Sequence, residues 1–221
     1  MEMTQKALTI AGSDCSGGAG IQADLKTFSA HGVYGMSVIT AIVAENTYRV
    51  SGIMDVNPDM IDKQIKDVFE DICPDAVKIG MLNTIETMIS VAESLKIWQP
   101  QNVVIDPVMY AKNGSPLMAL DAIETLIKVI VPLATLVTPN IPEAEEISGM
   151  TISNIGDMKV AAIKYMRWVA NQCSSKMVMP EEMQQTFFTM VTSFISLRHH
   201  GYRQKIHTAQ AVRYLQQLPV I

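Results

Sequence analysis

Blocks of apolar and polar residues alternate regularly up to about residue 164. Five short apolar runs are rich in β-branched residues: Ala7–Ala11, Val38–Val43, Ala76–Ile79, Val103–Ile105 and Thr135–Val137. They read as buried parallel strands, because strands covered on both faces need apolar residues at nearly every position. Amphipathic stretches lie between them. Ile21, Leu25 and Phe28 recur at helical spacing within Ile21–Ala30, and Ile61, Ile65 and Phe69 do so within Met60–Phe69. Thr84–Trp98 and Ala119–Val131 are predicted helical as well. The alternation predicts an α/β fold, a doubly wound, mostly parallel sheet flanked by helices. Such sheets bind ligands at the carboxyl ends of their strands.

The strand-to-helix turns carry the unusual residues: GSDCSGGAG, AENT, KIGM, IDPVM and TPNIPEAEE. Gly, Asn, Asp and Pro are ordinary turn residues, and any one cluster alone reads as a turn. Five such clusters at successive strand ends point to a site. From residue 165 the pattern is lost. Three of the four histidines fall in 165–221, and Arg167, Arg198, Arg203 and Arg213 reverse the local charge sign. No linker separates the two parts, so a second independent domain is not expected.

Composition narrows the classes. The chain has 221 residues, 48% hydrophobic and 18% charged, with a net charge of −5. That suits one globular domain and offers no basic stripe for nucleic acid. No apolar run reaches the roughly 20 residues needed to cross a bilayer. The opening MEMTQKALTIAGSD turns polar too early for a secretory signal. Three scattered cysteines, Cys15, Cys73 and Cys173, argue against a disulfide framework and lead to the expectation of a cytoplasmic protein.

Each candidate has a bland alternative. Gly12–Gly20 can turn backbone N–H groups towards a substrate or anion, or can merely pack as a βα turn. It lacks the GK[ST] of a Walker A loop and the GxGxxG of a dinucleotide binder, which disfavours a dehydrogenase-like protein. Asp24 lies off the apolar stripe of its helix and reads most simply as a solvated charge. Glu45 can accept hydrogen bonds from an exocyclic amine or cap a turn. Asp106, held at the sheet edge by Pro107, can help hold Mg²⁺ or be a turn residue. Asn140 and Glu143 form an N-cap/N3 pair that needs no ligand, but the same oxygens can organise Mg²⁺ and phosphates through water.

Taken in order, ALTIAGSDCSGGAGIQADLKTFSAHGVYGMSVITAIVAENT, VKIGML, VVIDPVM and TPNIPEAEEISGMTI resemble the hydroxymethylpyrimidine/phosphomethylpyrimidine kinases of the ribokinase-like superfamily. The resemblance runs from about Ala7 to Lys164, and pyridoxal kinases share several of its motifs. It implies ATP- and Mg²⁺-dependent phosphorylation of a small pyrimidine alcohol, then of its monophosphate, for thiamine synthesis. By position it implies that Gly12, Asp24, Glu45, Met81 and Val108 line the pyrimidine pocket. Asp106, Asn140 and Glu143 would serve Mg²⁺ and the phosphates. Many members have Gln at the position of Glu45; Gln donates and accepts, whereas ionised Glu only accepts. A pyridoxal kinase and a non-catalytic pyrimidine-binding remnant are the alternatives, and homo-oligomerisation is left open.

Two family motifs are missing from the C-terminal part: Lys-Gly-Gly-His, and the Gly-Thr-Gly-Cys loop that stabilises the transferring phosphoryl group. No catalytic residue is therefore assigned. A shifted reading frame restores the second loop. Joining the third base of each codon to the first two of the next, permitted codons from Lys205 to Arg213 spell Asn-Thr-His-Gly-Thr-Gly-Cys-Thr. Tyr165–Pro180, with the third base of the Lys164 codon in front, likewise permits Ile-His-Ala-Leu-Gly-Cys-Lys-Pro-Met-Phe-Val-Lys-Asp-Gly-His-Ala. One base lost just after the Lys164 codon accounts for both; a divergent C-terminal region is the alternative. The expectation is that residues 1–164 are the substrate-binding portion of a kinase domain. Residues 165–221 would be an aberrant tail that has lost the C-terminal strands and the phosphate-loop helix.

Overall fold

The computed structural model describes residues 4–110 and 117–172. Residues 173–221, most of the tail set apart above, lie outside them. The described residues divide after Val137 into two compact units.

The first unit is built on a five-stranded parallel sheet, in the order β2-β1-β5-β6-β7. Its strands are β1 (Lys6–Ala11), β2 (Tyr34–Ile39), β5 (Ala76–Ile79), β6 (Val103–Ile105) and β7 (Leu136–Val137). The central strands β5 and β6 are buried at every position, β6 with an unbroken apolar run and β5 with Lys78 among its apolar residues. Edge strand β2 buries only Met36 and Val38.

Three long helices follow the expected segments: α1 (Gly20–Ala30), α2 (Pro58–Asp71) and α3 (Ile85–Trp98). Their starts are set locally. Asn57 caps α2 by accepting the Asp59 N–H, with Pro58 in the first turn, and Thr84 caps α3 through the Thr87 N–H. Phe28 of α1 is buried with Ala7, and a Cβ at Gly35 would come within 3.0 Å of Leu25 and Phe28, so glycine lets α1 close on β2.

Two segments differ from the sequence-based expectation. Val38–Val43 is not one strand. The chain leaves the main sheet at Thr40, whose N–H donates to Ala11 O and whose hydroxyl donates to Met81 O. It continues as β3 (Ala41–Glu45), paired antiparallel with β4 (Val50–Asp55) in a separate ribbon. Strand β4 was not anticipated; all six of its residues are exposed, so it lacks the apolar alternation that marks a half-buried strand. The helix expected over Ala119–Val131 is α4 (Leu120–Thr125), then a π-helical turn (Leu126–Ile130) and a 3₁₀ turn (Val131–Leu133). Pro132 sits inside the 3₁₀ turn, where it brings no N–H to continue an α-helix.

The second unit contains α5 (Ile141–Ser148) and α6 (Ile155–Gln172), which pack on each other. Gly149 ends α5 in the left-handed conformation at φ 61°.

Candidate active site

Strand order reverses at β1. The chain passes from β1 to its neighbour β2 on one side, then returns to β5 on the other. A topological switch of this kind, here at the carboxyl ends of β1 and β5, is where α/β sheets bind ligands. Gly12 follows β1 and Met81 lies just beyond β5, and the two meet there. A Cβ on residue 12 would lie 2.7 Å from the Met81 methyl, so the absence of a side chain lets the thioether lie across the turn.

Beneath this pair sits a charged cluster in the protein interior. Thr9 and Lys78 are register partners on β1 and β5. Lys78 Nζ donates to Asp24 Oδ2 at 2.9 Å and Oδ1 at 3.2 Å, and the Thr9 hydroxyl donates to Asp24 Oδ2 at 2.6 Å. Asp24 is 2% exposed, so the bland expectation of a solvated helix charge is overturned. An unpaired charge at that depth would cost several kcal/mol, of order 3–5 when one partner is lost, and the lysine removes that cost. Burial acts to lower the Lys78 pKa. The negative charges of Asp24 and then Asp106, with the Asp24 hydrogen bond, outweigh it and hold the pKa above the usual lysine value. Lys78 therefore stays an ammonium. Nothing in the apolar pattern singled it out, although a lysine inside a four-residue buried strand is itself a signal.

The glycine-rich turn is shaped by its own acid. The Asp14 carboxylate accepts the N–H groups of Ser16 at 2.8 Å, Gly18 at 3.0 Å and Ala19 at 2.7 Å. Burial acts to raise its pKa, but hydrogen bonds from the Ser16 side chain and these three N–H groups hold it below the usual carboxylate value. This corrects the expectation that the loop offers its N–H groups to an external anion. Three of them already face an internal one.

Glu45 ends β3, half-buried, and its backbone is tied to the same turn: Cys15 Sγ donates to Glu45 O at 3.0 Å, and the Glu45 N–H points to Cys15 Sγ at 3.4 Å. Asn46, not Glu45, closes the following turn, accepting the N–H groups of Tyr48 and Arg49. Asp106 follows β6 and is joined to β5, since its N–H donates to Ile79 O at 2.9 Å. Pro107 is buried behind it, and Val108 is half-buried, its N–H turned back to Asp106 O. Gly12, Glu45, Met81 and Asp106 are thus linked through the tips of neighbouring strands, with Val108 on the Asp106 loop, while Asp24 on α1 is bonded to the interiors of β1 and β5.

Asn140 and Glu143 belong to the second unit. There they form the capping box of α5: Asn140 Oδ1 accepts the Glu143 N–H at 3.0 Å, and Glu143 Oε2 accepts the Asn140 N–H at 2.8 Å. Among the described residues no three His, Cys, Asp or Glu side chains converge as a metal cage. An ion that arrives with phosphates and keeps several waters, as Mg²⁺ does, needs no such cage.

Comparison with known proteins places this architecture. The family described as phosphomethylpyrimidine kinase matches residues 14–190. The hydroxymethylpyrimidine/phosphomethylpyrimidine kinase of Bacillus subtilis (strain 168) is 42% identical over 204 residues, 92% of this chain and 75% of that protein. The chain spans only about half the length of other relatives with the same name, 52% and 54% in two of them. The crystal structure of phosphomethylpyrimidine kinase from Clostridium difficile 630 superimposes with a TM-score of 0.72 at 55% identity, covering 74% of this chain and 71% of that one. The pyridoxal kinase of Staphylococcus aureus in complex with AMP-PCP gives 0.67 at 41% identity, covering 75% and 60%. These neighbours are ribokinase-like kinases, as the sequence resemblance implied.

Proposed function

The chain belongs to the phosphomethylpyrimidine kinase family, and from that premise we propose that its crevice takes 4-amino-5-hydroxymethyl-2-methylpyrimidine and then its monophosphate as acceptors of the ATP γ-phosphoryl group, for thiamine diphosphate synthesis. The observation that carries this reading is the meeting of Gly12 and Met81 at the switch point, above a buried Asp24. A flat aromatic ring needs an apolar wall, which the Met81 thioether supplies. Its amino group needs an acceptor, which Glu45 supplies; Asp24, buried and already paired with Lys78 and Thr9, is proposed to line the pocket from beneath rather than to bind the amine directly. Val108 completes the proposed lining. ATP is supported by the likeness to a kinase solved with AMP-PCP. Mg²⁺ would polarise the transferring phosphoryl oxygens; in the first unit Asp106 is the oxygen group proposed to serve it, and in the second unit Asn140 and Glu143 are the oxygen groups proposed to serve Mg²⁺ and the phosphates. A cytoplasmic location accords with the finding that no helix among the described residues is long and apolar enough to cross a membrane.

We further propose that phosphoryl transfer is crippled in this chain. The sequence contains no Gly-Thr-Gly-Cys, and loss of a single oxyanion-type donor typically costs about 10²–10³-fold in rate. The loss of one base after the Lys164 codon would account for it. Pyridoxal phosphorylation is the second reading, favoured by the likeness to pyridoxal kinases at 40–42% identity.

Calorimetric titration of the full chain with the pyrimidine and with pyridoxal, alongside a steady-state kinase assay, tests all of this. The expected result is pyrimidine binding stronger than pyridoxal binding, with turnover far below the roughly 1–100 s⁻¹ of ordinary kinases. Turnover in that range would overturn the impairment. Stronger binding of pyridoxal would favour the second reading, and binding of neither would remove the site. Sequencing the gene across the Lys164 codon tests the frameshift: a one-base insertion there must restore an open frame encoding Gly-Thr-Gly-Cys.

A further inference from the structure

Two independent sets of contacts meet in the turn between β1 and α1. One is the internal anion seat. The buried Asp14 carboxylate, 4% exposed, gathers the N–H groups of Ser16, Gly18 and Ala19, while the Asp14 N–H donates to Gln22 Oε1 of α1 at 2.7 Å. Three donors aimed at one point repel each other unless a negative charge sits among them. The other set is a seam on the opposite side of the same turn. The Ser13 N–H donates to Ala41 O at 2.8 Å, the Val43 N–H donates to Ser13 Oγ at 3.0 Å, and Cys15 Sγ spans the Glu45 backbone. Ser13, Asp14 and Cys15 are consecutive, so the seam and the seat share one short stretch of backbone.

We propose that Asp14 is a positioning residue for Glu45: its carboxylate fills the anion seat of the glycine-rich turn, and the turn so shaped holds Ser13 and Cys15 against β3. Among the described residues β3 pairs with no strand but β4, which is exposed at every position, so the Ser13 and Cys15 contacts are prominent among those that join β3 to the main sheet. Without the Asp14 charge, the N–H groups of residues 16, 18 and 19 lose their common acceptor and turn towards water. The backbone at Ser13 and Cys15 then relaxes, and Glu45 loses its fixed place. The consequence at Glu45 rests on the pyrimidine-site reading; the coupling of seat to seam does not.

Amide hydrogen exchange on the full chain separates the two. In Asp14→Ala, the amides of Val43 and Glu45 are expected to exchange about tenfold faster than in the unaltered chain, with α2 and α3 unchanged. Excess sodium formate, a carboxylate small enough for the vacated seat, is expected to restore protection where equal sodium chloride does not. Pyrimidine affinity, read by calorimetry, should fall in the variant and recover with formate. Unchanged exchange at Val43 and Glu45 would overturn the proposal. So would a uniform rise across α2 and α3 that formate leaves in place, since that marks general loosening. If Asp14→Ala does not fold, Asp14→Asn carries the exchange and affinity measurements without formate, because it keeps the shape and removes the charge, and unchanged exchange at Val43 and Glu45 there overturns the proposal. Seam exchange that responds while the unaltered chain binds no pyrimidine would sink the functional reading and sustain the role of Asp14.

Discussion

On β5 a charged residue, Lys78, is sunk to 7% exposure, whereas on β4 an apolar one, Met54, is left 60% exposed. The two strands solve opposite problems. The β1/β5 corner is a floor: two buried strands whose polar atoms are each matched, with Thr9, Asp24 and Lys78 locked together by three hydrogen bonds. The β3–β4 ribbon is a wall joined to that floor at few points, among them the Ser13 and Cys15 seam and the Asn83 amide, which donates to Asp55 at 2.6 Å. A buried, fully paired cluster has one low-energy arrangement. A ribbon with an exposed outer strand opens at small cost. The contrast teaches that stability and ligand contact are divided here between different strands.

The sharpest way to break the contrast is Lys78→Met. It leaves the Asp24 carboxylate buried without its cation, and chemical denaturation should show a loss of about 3–5 kcal/mol. A loss below 1 kcal/mol would mean that Asp24 finds water or another cation, and that the floor is not a closed cluster. Next in size is Gly20→Ala. Gly20 lies at φ +54°, and a Cβ there would come 2.4 Å from Gly12 O, a backbone atom that cannot swing aside. A loss of about 1–3 kcal/mol is expected in the same measurement. Wild-type stability in this variant would show that the turn is pliable, which would also weaken the seat-and-seam coupling. Smallest is Met54→Ser on the ribbon, expected to change stability by no more than about 0.5 kcal/mol. A larger loss would reveal that the outer face of β4 is covered in solution.

Much of the candidate site was legible along the chain. Gly12, Met81 and Asp106 stand at strand ends, and strand ends are visible as the points where apolar runs stop. Glu45 was found in the same way, although the run that led to it proved to be two strands. The Asn140/Glu143 pair was legible because a capping box acts over three residues and its spacing is its signature. The partner of Asp24 was not legible. Helical periodicity places Asp24 off the apolar stripe and stops there; its lysine lies 54 residues further on, on a strand that reads as plain apolar filler. The role of Asp14 was hidden for a subtler reason. Its carboxylate binds backbone N–H groups, which every residue possesses, so no residue type in the turn announces the contact.

Most of the buried strands, the long helices and the family resemblance were legible in the sequence on its own, because apolar periodicity, caps and glycine-rich turns act within a few residues. Tertiary structure alone decided that Thr40 would divert the chain into a ribbon, that Asp24 and Lys78 would neutralise each other in the core, and that Gly12 would lie against Met81. Each of those outcomes joins residues tens of positions apart. Their energies arise only once the parallel sheet has excluded water and brought β1 beside β5.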